Sequence, residues 1–211
     1  MFLPVSALRP LTAAVILAAS AASQAAITVY TDEAAFLAAV GAPGTDSFDD
    51  LALGFGTSPV FRIAGSYSYS ISAANGLYQV GDPTDVWLSV NDGDDPITFD
   101  TFSAGVVAVG GHFFGTDQNG AYLLGDVTVW ASDSSGTVSR TITGAAPNSF
   151  LGFISDDAIT SLLLAPSPSS PNLFAAANNV TLAAAVPEPA TYALALAGLA
   201  VVGWAARRQR R

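Results

Sequence analysis

The chain has 211 residues, 51% of them hydrophobic and only 11% charged, with seven arginines, no lysine, no cysteine and a formal net charge of −10. The missing cysteine excludes a disulfide framework and a zinc–thiolate centre, so an exported domain must be held by core burial or bound ions. The acid excess repels nucleic acid and anionic lipid headgroups, which argues against both as partners.

The first 25 residues read as a secretory signal peptide. Met1 to Arg9 carries one positive charge, Leu11 to Ala19 is apolar, and Ser23-Gln24-Ala25 offers small residues at both key positions of a cleavage site. Such a segment engages the secretion translocon and is cut by signal peptidase, here after Ala25. The acidity deepens once the two ends are set aside. Residues 26–186 keep Arg62 and Arg140 against fifteen aspartates and Glu33, a net charge of −14.

The mature part opens with a helix signal. Thr31 can cap a helix whose first turn carries Asp32 and Glu33, favourable at the positive end of the dipole. Ala35, Phe36, Ala39 and Val40 supply its apolar stripe, and Gly41 and Pro43 close it. The period then changes to two. Ser66 to Ser72 alternates without a break, and short β-rich runs follow at 86–90, 97–99, 106–109, 127–130, 138–142, 150–154, 159–164 and 180–182. Turn clusters such as Asn91 to Pro96 and Ser132 to Gly136 separate them, and 166–171 (PSPSSP) reads as a loop before the last strand. Many short strands between turns predict an all-β fold: one β-sandwich, jelly-roll-like, over 26–185 with one short N-terminal helix.

The chain closes with Val186-Pro187-Glu188-Pro189, an uncharged apolar run over 190–206, and a basic tail over 207–211 holding Arg207, Arg208, Arg210 and Arg211. As a helix the run is roughly 25 Å long, a little short of the ~30 Å hydrocarbon core, and it crosses a membrane with local thinning. Tyr192 and Trp204 sit near its two ends, and the arginines keep the C-terminus cytoplasmic with the bulk of the chain outside. This triplet, apolar helix and arginine cluster, in that order at the terminus, resembles the PEP-CTERM sorting signal of Gram-negative bacteria. The resemblance implies an exosortase that recognises the tail and cleaves near Pro187-Glu188-Pro189, with only transient anchoring in the inner membrane. The released protein then reaches the outer surface or the exopolysaccharide matrix. Glu188 is on that reading a recognition residue of a substrate. The blocks TVYTDEAAFLAAVG, VVAVGGHFFGTDQNG, SFLGFISDDAITSLLL and NNVTL likewise resemble ectodomain segments that precede such tails.

Catalytic chemistry finds few carriers. Any Ser–His–acid arrangement has to use His112, the single histidine, and no Gly-x-Ser-x-Gly elbow exists. Fifteen aspartates always allow some carboxylate pair, but most fall in turns, where Asp bonds its local backbone. Calcium, as a structural ion, suits hard oxygen ligands, and two sites are expected. One pairs Asp49 and Asp50 with Asn178 and Asn179, as an early acidic segment and the last strand share calcium in many carbohydrate-binding jelly rolls. The other is the loop with Asp92, Asp94 and Asp95. A sugar-stacking platform could draw on Tyr67, Tyr69, Tyr78, Trp87, Tyr122 and Trp130, with Tyr67 and Tyr69 on one face of one strand as the leading pair. The sequence thus points to a non-enzymatic exported surface or matrix protein. A carbohydrate-binding module for matrix polysaccharide is the alternative, and a secreted hydrolase stands third.

Overall fold

The structure is a computed structural model and describes residues 26–93, 95–170, 172–186, 196–200 and 207–208. The signal segment 1–25, Asp94, the triplet Pro187-Glu188-Pro189, most of the apolar run 190–206, and Arg210 and Arg211 lie outside the described residues. Residues 196–200 are helical and exposed. No helix among the described residues is long and apolar enough to cross a membrane.

The chain enters with β1 (Thr28–Tyr30) and α1 (Glu33–Ala38), then β2 (Val40–Asp46), β3 (Gly54–Gly56), β4 (Val60–Ala64) and β5 (Tyr67–Ser72). It continues through β6 (Leu77–Asp82), β7 (Asp85–Val90), β8 (Ile97–Asp100), β9 (Ala108–Thr116) and β10 (Gly125–Ser132). The last strands are β11 (Thr137–Ala145), β12 (Phe150–Ile154), β13 (Ser161–Pro166) and β14 (Phe174–Ala185). One sheet runs β1-β12-β9-β14-β7-β6-β3 with β2 also on β14, and the other runs β11-β10-β13-β8-β5-β4. All pairings are antiparallel. From β8 onward the chain switches sheets at nearly every connection, so the two inner faces close on one core, the expected sandwich.

Alternation explains that core. Tyr69, Ile71, Phe99, Val127, Val129, Leu162 and Leu164 point in from one sheet, and Leu88, Val109, Phe113, Leu151, Phe153, Val180 and Leu182 from the other. Burying one such side chain stabilises by about 1.5–3 kcal/mol, which is how a cysteine-free domain holds together. Both Phe113 and Phe114 are fully buried although they face opposite ways. The segment 117–124 folds back over the outer face and covers Phe114, with Tyr122 at 6.5 Å between ring centroids and Trp87 edge-on at 4.9 Å. Gly120, at φ +79°, makes this possible, because a Cβ there would lie 2.3 Å from Val80 Cγ1.

The helix forms where expected but starts one residue later. Asp32, not Thr31, is its N-cap, its Oδ1 accepting from Ala35 N at 2.7 Å. Gly41 and Pro43 do not end it; the chain turns at Ala39 and enters β2 directly. A proline is tolerated there because β2 bulges. The register against β14 shifts between Leu182 and Ala184, and Ala42 takes φ +47°, so Pro43 owes the ladder no N–H. The central strand, β14, spans twelve residues where the sequence marks only 180–182. Its ladder with β9 breaks between Asn178 and Thr181, and Asn179 sits at φ +51°. Before that bulge β14 pairs with β7, and after it with β2.

One turn is locked by a carboxylate. Between β10 and β11, Asp133 Oδ1 accepts from Ser135 N at 2.7 Å, Ser135 Oγ at 2.6 Å and Gly136 N at 3.0 Å, while its Oδ2 accepts from Ser155 Oγ at 2.6 Å. The hydroxyls of Ser135 and Ser155 hold its pKa down at about 2, from an ordinary 3.8. A depressed carboxylate contributes stability that is fully present above the unfolded value and is lost as pH falls through the folded one. The stability gap between the wild type and Asp133→Asn is therefore expected to be constant from pH 7 to 5 and to close between about pH 4 and 2. Urea midpoints across that range test it; a gap independent of pH would contradict the assignment.

Candidate functional site

The early acidic segment is built around a cation, and the cation belongs to the chain. β2 ends at Asp46, whose side chain is 3% exposed, and Arg62 from the edge strand β4 lies against it, 11% exposed. Arg62 donates Nε to Asp46 Oδ2 at 2.9 Å and Nη2 to Asp46 Oδ1 at 2.6 Å. The same guanidinium donates Nη1 and Nη2 to Asp50 at 2.9 and 2.5 Å. Tyr69 Oη donates to Asp46 Oδ2 at 2.8 Å, and Phe48 N to Asp46 Oδ1 at 3.1 Å. Hydrogen bonds from Arg62 pull the Asp50 carboxyl below its usual range, and the two carboxylates push Arg62 further up. Burial, with Asp46 beside it, raises the Tyr69 phenol well above its ordinary value. Phe48 turns the chain at φ +65°, a costly conformation for a bulky residue, and its ring lies under the guanidinium at 5.7 Å.

The early segment and the last strand both reach β7 through hydrogen bonds between protein groups. Asp49 Oδ1 accepts from Val86 N at 3.0 Å, and Asn178 Nδ2 donates to Asp85 Oδ1 at 2.8 Å, so both ends meet β7 at adjacent residues. Asn179 N closes on Asn178 Oδ1 at 2.7 Å. Asp50 turns instead to Arg62. Among the described residues no group of three or more acidic or histidine side chains is arranged to hold a metal ion. In the second acidic loop, where Asp94 lies outside the described residues, Asn75 bridges the other two aspartates, donating N to Asp95 Oδ2 at 2.6 Å and Nδ2 to Asp95 Oδ1 at 3.2 Å and Asp92 Oδ2 at 3.4 Å.

The tyrosine pair is not a platform. Tyr67 and Tyr69 share a face as their spacing requires, but that face is the core, and they are 8% and 1% exposed. Tyr69 stacks between Phe99 and Phe102, and Tyr67 Oη donates to the Ala42 carbonyl at 3.1 Å. The strand alternates, and alternation alone does not say which side is wet. His112 is equally engaged: its Nε2 lies 3.3 Å from Glu33 Oε2 on α1 and its Nδ1 3.5 Å from Asn179 Nδ2 on β14. Neither partner is a serine, threonine or cysteine.

Of the loops at one end of the sandwich, sequence reasoning singled out only the one with Asp92, and as a calcium site; it passed over the other two. Asp92, Asp117, Gln118, Asn172 and Phe174, from three connections, surround a cavity of about 510 Å³. The turn-forming strings Asn91-Asp92-Gly93 and Asp117-Gln118-Asn119-Gly120 were the available signal, but a turn signal does not distinguish a reversal from a site.

Past the sandwich, Ala185 is the last residue paired in the sheet, opposite Val40, and Val186 follows it 43% exposed. The Pro187-Glu188-Pro189 triplet thus begins two residues beyond the ladder, so a cut there leaves the described pairing of β14 with β2 in place. The family model for the PEP-CTERM protein-sorting motif matches residues 185–211. No curated protein matches the chain significantly. The chain carries a sorting motif that marks an exported, membrane-transiting protein with an exosortase as its processing partner.

Proposed function

We propose that the mature chain is a non-catalytic surface or exopolysaccharide-matrix protein. On this reading the translocon and signal peptidase deliver it across the inner membrane, the tail anchors it there, and the exosortase releases the sandwich. The observation that carries it is the sorting motif matched at 185–211, whose triplet follows the last strand of the described sandwich by two residues. The acidity fits: a net −14 on residues 26–186 keeps the released domain soluble. Prolines on both sides of Glu188 fix φ and disfavour helix before them, which suits an extended protease substrate.

The test is fractionation of cells producing the wild type or the variant with Pro187, Glu188 and Pro189 all replaced by alanine. The wild type is expected in the extracellular and matrix fractions, and the variant, uncleaved, in the inner membrane. Normal release of the variant would leave the tail as a plain anchor and remove the sorting reading. A saccharide-binding role is the second reading, favoured by the amide-rich cavity between the loops.

A further inference from the structure

We propose that the loop-end cavity is a binding groove for a neutral oligosaccharide. Three connections build it: β7 to β8 supplies Asp92, β9 to β10 supplies Asp117, Gln118 and Asn119, and β13 to β14 supplies Asn172, with Phe174 at the start of β14. At about 510 Å³ it falls within the usual size of ligand sites. It does not end there. A second recess of about 180 Å³ shares Asp117, Gln118 and Phe174 with it and reaches Tyr78 on β6. A third, about 480 Å³, shares Tyr78, Val80 and Gly120 with the second. Three recesses joined by shared walls suit a linear chain of units better than one compact molecule.

The lining chemistry selects the ligand. Carboxylates accept and amides both donate and accept, which matches the adjacent hydroxyls of a sugar, each at once donor and acceptor. Phe174 and Tyr78 offer ring surface to its C–H face; Tyr78 is 36% exposed. Among the described residues no arginine, lysine or histidine lines any of the three recesses, while Asp92 and Asp117 do, so an anionic sugar would meet like charge. Part of the wall is preset before any ligand arrives. Asp117 Oδ1 is fixed by Asn119 N at 2.8 Å and Ala121 N at 3.0 Å, and Asn75 steadies Asp92. Preset groups lower the ordering cost of binding.

The choice of a polysaccharide rests on the matrix location proposed above, but the assay does not involve the tail. Full-length protein in a non-glycosidic detergent is titrated calorimetrically with cellohexaose, laminarihexaose, maltohexaose and mannohexaose, and with a hexameric oligogalacturonate as the anionic control. At least one neutral hexamer is expected to bind and the oligogalacturonate is not. Gln118→Ala combined with Asn119→Ala, two exposed side chains, is expected to weaken that binding about tenfold, near 1.4 kcal/mol, without moving the melting temperature. Tyr78→Ala is expected to weaken the hexamer and spare the corresponding disaccharide. Failure of all four neutral hexamers, equal binding of the oligogalacturonate, or unchanged affinity in the amide variant overturns the proposal. A protein that binds sugar but is not sorted, or the reverse, separates this inference from the functional reading.

Discussion

Arg62→Met is expected to destabilise the sandwich by about 3–5 kcal/mol, since it leaves the Asp46 carboxylate buried without its cation. The side chain of Asp46 is 3% exposed, and Arg62 provides two of its hydrogen bonds. The same change removes the guanidinium from the Phe48 ring, where the chain already holds a left-handed conformation. For a domain of this size the melting temperature should fall by about 10 °C. Two comparisons isolate the cause. Asp50→Ala should cost less than about 1 kcal/mol, because its side chain is 69% exposed and its bond to Arg62 is a surface pair. Arg62→Met combined with Asp46→Asn should be more stable than Arg62→Met alone, because the buried charge is gone. If the double variant is the less stable of the two, the network acts by packing and not by charge.

The second large effect is expected at Phe36. α1 has six residues, too few to persist on its own hydrogen bonds, and Phe36 is its one buried side chain. The ring enters a small core with Val40, Ala108 and Ala183, edge-on to Tyr30 at 6.1 Å and tilted on Phe150 at 5.4 Å. Gly152 on β12 leaves it room, since a Cβ there would lie 2.5 Å from Phe36 Cδ2. Phe36→Ala should cost about 3–5 kcal/mol. Amide exchange should accelerate over 33–40 before it does in β9 and β14, and Gly152→Val should reproduce the pattern by expelling the ring. Uniform acceleration across both sheets would mean that α1 is part of the main cooperative unit and not a separately docked cap.

Period-two runs with β-branched and aromatic residues, such as 66–72 and 127–130, became strands because each has one face to bury. β14 was largely hidden: in its first half, Phe174-Ala175-Ala176-Ala177, only Phe174 favours a strand, yet all three alanines are fully buried. What makes it a strand is tertiary, a slot between β9 and β7. β2 was hidden for the opposite reason. Glycine and proline read as a helix stop, and only the bulge against β14 lets Val40–Asp46 pair. At the sites, ligand chemistry pointed to acids by type and clustering, and could not point to their partners. In the sequence Asp49 and Asp50 are singled out as metal ligands, while Asp46, the buried acid of the network, is not; Arg62, twelve to sixteen residues from Asp50 and Asp46, reaches them only once β4 is laid beside β2. Aromatic composition raised the possibility of sugar stacking, but burial decides which tyrosines are reachable, and it leaves Tyr78 and Tyr122 exposed where it takes Tyr67 and Tyr69. The tail was different. Its meaning lies in the order of linear elements at a chain end, which needs no fold to be read, and the family match falls on that segment.

The intact mass of the protein recovered from the matrix fraction tests the central claim most directly. The account predicts a chain that begins at Ala26 and ends within the Pro187-Glu188-Pro189 segment, with the apolar run and all four C-terminal arginines gone. A matrix-borne chain that still carries Arg207, Arg208, Arg210 and Arg211 would contradict it.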